Sequence, residues 1–391
     1  MLLIMTNNFK LTFIIFSSSF FFFLGCRNEN KKTFKSNFWI DEQKVYWEEL
    51  LNKNKKWYSS NHAISIADNI LIYQHPSGGW PKNIDYKTPI AFINKIKLII
   101  SKKFNNSKYS YHPTIDNRST YSQIRFLGKV FISTGNQRFK DGFLSGFDYL
   151  ISAQNQAGGW PQYYPLRGGY KNHITFNDNA MIGVMKLLKD VSDKKYNYID
   201  DLRLKQSENA IKNGLELILN TQIISNDRLS GWCSQYDEIG LDPINARSFE
   251  PISISARESV NIVKYLMALN DPDKRIIGAI ESAIEWYKEV GIKGLKIVEI
   301  EDADAPKDFD IKISIDSKNK LRPLHWARFY ELNTNSPIFS DRDGIIRYAM
   351  SELSYERRIN YEWYGTWANN LIFKHYPIWT KRYKKNNLEI F

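Results

Sequence analysis

Apolar residues recur three and four positions apart along most of this chain. Between 119 and 133 they place Ile124, Leu127, Val130 and Phe131 on one face; between 178 and 191 they place Met181, Val184, Met185 and Leu188 on another. The segment 259–269 gathers Val260, Ile262, Val263, Leu266 and Met267, and 276–290 continues the period. Stripes at i, i+3, i+4 and i+7 predict helices that pack by one side. Extended patterns are few and short, at 295–300 and 311–315. The expected fold class is therefore all-α: an (α/α) toroid, or incomplete barrel, of helical hairpins with long loops and a small β insertion near 293–325.

A repeated phrase punctuates the helices. QHPSGGWPKN at 74–83 returns as QNQAGGWPQY at 154–163, and a partial third copy, SGWCSQ, occupies 230–235. Each follows an apolar, helix-like run. Self-similarity at long period marks a repeated supersecondary unit. Glycine lets a chain leave a helix in left-handed geometry, and proline stops the helix resuming. Trp80 and Trp160 are then expected to face the space that the loops surround and to offer flat substrate-binding surfaces to a sugar ring.

The N-terminal region reads as an address rather than as fold. Residues 11–25 are apolar or small, too short for a comfortable membrane span and suited to a secretory signal. The run ends at Leu24-Gly25-Cys26 and is followed by a polar stretch, a pattern that resembles a bacterial lipobox. The expected division is a lipoprotein signal peptide at 1–25, a polar tether at 26–38 and one catalytic domain at 39–391. A lipid on Cys26 would be the sole membrane attachment, at the bacterial envelope. The only other cysteine is Cys233, so no intramolecular disulfide is expected. A formal charge of +12 points to an anionic partner, at an exported address an acidic polysaccharide rather than nucleic acid. The protein is expected to be a monomer.

Two polar clusters stand where helices begin: TIDNRST at 114–120 and ITFNDN at 174–179. Asp and Asn are favoured helix N-caps, so each cluster has a purely structural use. If both helices line one barrel, however, Asp116 and Asp178 can share its mouth, with Asn117 beside them. Carboxylate and amide oxygens together suit calcium. The histidines show no zinc-like spacing. A third group is rich in arginine, including Arg247, Arg328 and Arg342. Guanidinium forks bind carboxylates in two-point fashion, although each also serves in ordinary salt bridges.

With these motifs assembled, the chain resembles the family 10 polysaccharide lyases, pectate lyases of toroidal fold. The resemblance rests on GGWPKN (78–83), TIDN (114–117), GGWPQYYP (158–165), HITFNDNAM (173–181), WCSQYD (232–237), ESVNIVKYLM (258–267), RFYELNTNSPIFSDRDG (328–344) and ERRINYEWYG (356–365). It implies calcium-assisted β-elimination of α-1,4-polygalacturonate to 4,5-unsaturated products. Asp116, Asn117 and Asp178 match its metal and substrate-carboxylate positions, Arg247 its catalytic base, and Arg328 and Arg342 its carboxylate-binding arginines. Lys82 lies in a motif near that site. The chain departs from the pattern at Tyr236, where histidine is expected, at 239–241, at Lys171, and at Arg257, where a small residue is expected. Rival readings are a glycoside hydrolase using the two aspartates, a terpene-cyclase-like barrel, and a surface lipoprotein that captures pectin fragments without turnover.

Overall fold

The structure is a computed structural model that describes residues 41–91, 111–316, 318 and 323–388. The expected signal peptide, Cys26 and the tether lie outside the described residues. Among the described residues no helix is long and apolar enough to cross a membrane.

Helices dominate and pair as antiparallel hairpins. One layer holds α2 (Asn61–Tyr73), α4 (Gln137–Ala153), α6 (Asp201–Asn220) and α8 (Lys274–Glu289). The other holds α3 (Tyr121–Thr134), α5 (Ala180–Ser192) and α7 (Ala256–Met267), while α1 (Glu42–Leu51) packs on α3. Neighbours within each layer follow chain order, α3 on α5 on α7 and α2 on α4 on α6 on α8. This is the incomplete toroid that the periodicity predicts. The layers differ in burial as their sequences do. On α5 nearly every residue from Ala180 to Leu188 is buried, whereas α6 buries only Ser207, Ala210, Gly214, Leu217 and Ile218. The predicted insertion is an antiparallel hairpin, Leu295–Glu301 against Phe309–Ile315. It packs on a second apolar cluster containing Phe249, Phe329, Phe339 and Trp363. A four-stranded sheet of two- to four-residue strands, including Ile254–Ser255, Phe329–Tyr330 and Pro337–Ser340, escapes prediction because such short strands carry no readable alternation.

The repeated phrase is a staple. Gln74 Nε2 donates to the carbonyls of Gly78 (2.8 Å) and of Gly142 on α4 (2.9 Å). Gln154 does the same to Gly158 (2.8 Å) and to Ala210 on α6 (2.9 Å). Gln222 repeats it with Ser230 (2.7 Å) and Ala279 on α8 (3.0 Å). Each glutamine thus closes its own turn and ties it to the next hairpin. The tryptophans complete the unit from inside. Their indole N–H groups donate to Ile70, Leu150 and Ile218, each at 2.7 Å, for Trp80, Trp160 and Trp232.

This corrects the expectation for Trp80 and Trp160. Both are 0% exposed and present no face to a sugar. An indole buried with its one donor satisfied contributes packing and a hydrogen bond to the core, which the glycine turn makes possible by folding the ring back over its own helix. Tyr236 is buried likewise, its hydroxyl donating to Thr221 O (2.7 Å) and accepting from Cys233 N (2.6 Å).

Close approach is the reason for glycine in the turn. Gly158 has φ 93°, and a Cβ there would lie 2.4 Å from the carbonyl oxygen of Asn213 on α6. Gly135 also has positive φ, 68°, but faces open space. Gly158→Ala is expected to cost about 2–4 kcal/mol in urea unfolding, because strain and overlap add. Gly135→Ala should cost about 1 kcal/mol, from strain alone. Equal losses would contradict the staple.

Candidate active site

The staples also place the acids. The carbonyl of each repeat tryptophan accepts one backbone N–H from a segment that carries an acid. Thr114 N donates to Trp80 O (3.0 Å), Thr175 N to Trp160 O (3.1 Å) and Ser255 N to Trp232 O (2.8 Å). Two or three residues further along come Asp116, Asp178 and Glu258. The first two sit in tight 3₁₀ turns, Asp116–Arg118 and Asn177–Asn179, which pack on one another. Left-handed residues, Asn117 (φ 47°) and Asp178 (φ 51°), swing the polar side chains off the helix axis. Neither acid caps a helix: α3 starts after Thr120 and α5 after Asn179, both without a side-chain capping bond. The structural use weighed for these clusters is therefore not the one the chain makes of them.

The side chains meet in a dense charge network. Lys82 Nζ donates to Asp116 Oδ2, and Asn117 Nδ2 donates to Asn83 Oδ1 at 2.9 Å. Burial raises the Asp116 carboxyl above its usual range in spite of Lys82, and the charge of Asp178 adds to the rise. Burial would also raise Asp178, but Arg257, Arg328 and Arg247 more than offset it and hold that carboxyl low. Two like carboxylates on adjoining turns, with arginines on one side, form a cluster where charge is poised rather than cancelled.

Arg328 is 4% exposed and donates to Glu258 Oε1 at 3.4 Å; its Nε has no partner among the described residues. Glu258 is 2% exposed, and burial pushes its carboxyl up to about 7 despite Arg257 and Arg328. Arg247 stands at the edge, its side chain 46% exposed and clamped by Glu250 at 2.8 and 2.6 Å. Glu250 in turn accepts the Tyr361 hydroxyl at 2.8 Å. Arg342 lies on the rim, 63% exposed, paired with Glu356 at 3.1 Å. The guanidinium groups of Arg247, Arg342 and Arg357 all lie 4.4–5.5 Å from the Phe249 ring, which gathers them without cancelling their charge.

The structure thus brings Lys82, Asp116, Asn117, Asp178 and Arg328 together, with Arg247 and Arg342 at the margin and Trp80 and Trp160 behind the wall. His173, isolated in sequence, meets Asp237 and Glu238 with potential ligand atoms within 4.8 Å. Sequence reasoning assigned no role to Glu250, Glu258, Glu362 or Tyr361. Glu258 was findable, since it holds in the third repeat the place that Asp178 holds in the second.

The fold and site are those of a helical toroid with acids and arginines converging at one mouth. The comparisons narrow the class. Residues 74–372 match the family described as pectic acid lyase. A family 10 polysaccharide lyase from Cellvibrio cellulosa superposes with a TM-score of 0.69 at 30% identity, over 85% of this chain and 94% of that one. A mutant of that family 10 lyase in complex with trigalacturonic acid superposes equally well, at 29% identity over 85% and 95% of the two chains. Comparison with the curated proteins finds no match. The chain belongs to the pectic acid lyases, the family 10 polysaccharide lyases, and is an enzyme of that class.

The pH response of Glu258 follows from its position. Its ordinary value is 4.5 and its folded value about 7, so unfolding releases a proton between those limits. Stability that it contributes at low pH is lost as pH rises from about 4.5 to 7, on the order of 2–3 kcal/mol. Urea unfolding at pH 5 and pH 8 should show wild type losing that much relative to Glu258→Gln. A pH-independent difference between the two proteins would contradict the assignment.

Proposed function

We propose that the protein is a pectate lyase that cleaves polygalacturonate by calcium-assisted β-elimination, with Arg247 as the base. The observation that carries this reading is that the turns bearing Asp116 and Asp178 pack on one another, with Lys82 on Asp116 and Arg257 on Asp178. The complex of the related lyase with trigalacturonic acid supports the substrate. Two carboxylates and an amide on adjoining turns fit a hard divalent cation, and Asp116, Asp178 and Asn117 would hold it. When bound, calcium supplies Lewis-acid stabilisation of the negative charge that develops on the substrate carboxylate.

The protein's own groups do the rest. The buried Arg328, whose Nε has no partner among the described residues, orients the C6 carboxylate of the reacting sugar. Arg342 engages a neighbouring carboxylate from the rim, where its exposure suits a long chain that enters from solvent. Arg247 takes the proton from C5. The C5–H pair becomes the C4=C5 double bond, and the C4–O bond breaks toward the leaving sugar. No water attacks, so the outcome is elimination and not hydrolysis.

Burial favours a neutral Arg247, but hydrogen bonding and charge from Glu250 outweigh it and hold the guanidinium charged, above its already high ordinary range. The neutral form is therefore scarce at every accessible pH, and its population grows as pH rises. The measurement is the rate of unsaturated-product absorbance from polygalacturonate against pH. It should climb by up to about tenfold per unit through the alkaline range without a plateau. Arg247→Ala should lower kcat by about 10²–10⁴. Full activity in that variant, or a plateau near neutrality, would exclude this base and leave Lys82 as the next choice. Binding of pectin fragments without any unsaturated product would favour the non-catalytic capture reading.

We also infer that the enzyme works as a monomer at the bacterial envelope, held by a lipid on Cys26. The apolar run at 11–25, its end at Leu24-Gly25-Cys26 and the polar stretch that follows support the lipid attachment.

A further inference from the structure

Arg257 occupies a position the mechanism above does not use. It is the second residue of α7, with a side chain 21% exposed, and it faces three acids at once. Its Nη1 lies 3.2 Å from Asp178 Oδ1 and 3.6 Å from Glu258 Oε1, and its Nε lies 3.8 Å from Glu362 Oε2. Among the described residues no carboxylate grips it in the two-point manner. Arg247 offers the contrast, locked on Glu250 at 2.8 and 2.6 Å. A guanidinium spread over three acids at longer range is a shared counter-ion, free to yield one partner without losing the others.

One of those partners is Asp178, which would also hold calcium. We propose that Arg257 is a resident cation of the acid pair, competing with calcium for Asp178 and keeping part of the site's positive charge in place when calcium is scarce. The proposal rests on the calcium-assisted reading above. Three consequences follow from the geometry. Calcium must displace Arg257 from Asp178 Oδ1 or accept the other oxygen. A divalent ion beside a fixed guanidinium is repelled, so its affinity falls. Glu258 and Glu362 remain to receive Arg257 once it lets go, so displacement leaves no buried charge unpaired.

Calcium binding measured by titration calorimetry on the whole chain, without substrate, tests this directly. Arg257→Gln keeps the stem and a hydrogen-bond donor while removing the charge. It should bind calcium at least about tenfold more tightly than wild type, and Arg257→Lys should stay within about threefold of it, because charge and not shape sets the effect. Equal or weaker binding by Arg257→Gln overturns the proposal. Wild type supplies a second arm that needs no variant. In excess chelator its rate of unsaturated-product formation should fall by less than about a hundredfold, since Arg257 retains some of the charge stabilisation. Complete loss overturns the proposal even if Arg257→Gln does not fold. Absence of product from wild type at every calcium concentration would instead remove the elimination reading, and the calorimetric comparison would still decide whether Arg257 competes for the metal.

Discussion

The tryptophan of each repeat fixes both the fold and the site. Its indole N–H ties it to the helix it has just left, and its backbone carbonyl holds the segment that delivers an acid. One residue therefore couples the toroid's radial packing to the chemistry at its mouth. The glutamine staples add the lateral coupling, each binding its own turn to the next hairpin. Such a scaffold sets Asp116, Asp178 and Glu258 in comparable places by repetition, so convergence of the acids needs no long-range coincidence.

Repetition alone would give three equivalent acids. Their surroundings make them different. Deep burial leaves Asp116 reluctant to ionise in spite of Lys82, arginines hold Asp178 charged, and Glu258 lies deepest, between Arg257 and Arg328. On the proposed function, that asymmetry would offer a polyuronate both positive charge for its carboxylates and oxygen ligands for a cation. The second apolar cluster, under the β hairpin, carries Phe249 and so gathers Arg247, Arg342 and Arg357 along the opposite margin. The insertion thus packs on the same apolar cluster as Phe249, behind the ring that gathers these arginines.

Much of this was legible in the sequence. The helical stripes predicted α3, α5, α7 and α8 to within two or three residues at most ends, and the extended segments at 295–300 and 311–315 marked the two strands of the insertion. The repeated phrase and the two acid clusters marked the unit and the mouth. The clusters also marked where α3 and α5 begin, two residues later than expected, because left-handed turns come first. Side-chain direction was not legible. A Gly-Gly-Trp turn reads the same whether the indole faces the cleft or folds back on its own helix, and only packing decides. Partners distant in sequence were equally hidden. Nothing local ties Arg257 to Asp178, or Tyr361 to Glu250. The Arg247–Glu250 clamp joins residues only three apart, yet a guanidinium and a carboxylate at that spacing read equally as an ordinary salt bridge.

The central claim is that Asp116 and Asp178, from successive repeats, act on one substrate carboxylate as a unit. A double-mutant cycle on kcat/KM with Asp116→Ala, Asp178→Ala and the double variant tests it most directly. The account predicts strong non-additivity: the double variant should be within about tenfold of the worse single variant, because either loss disables the shared site. Effects that multiply in full would mean that the two carboxylates work independently, and would contradict it.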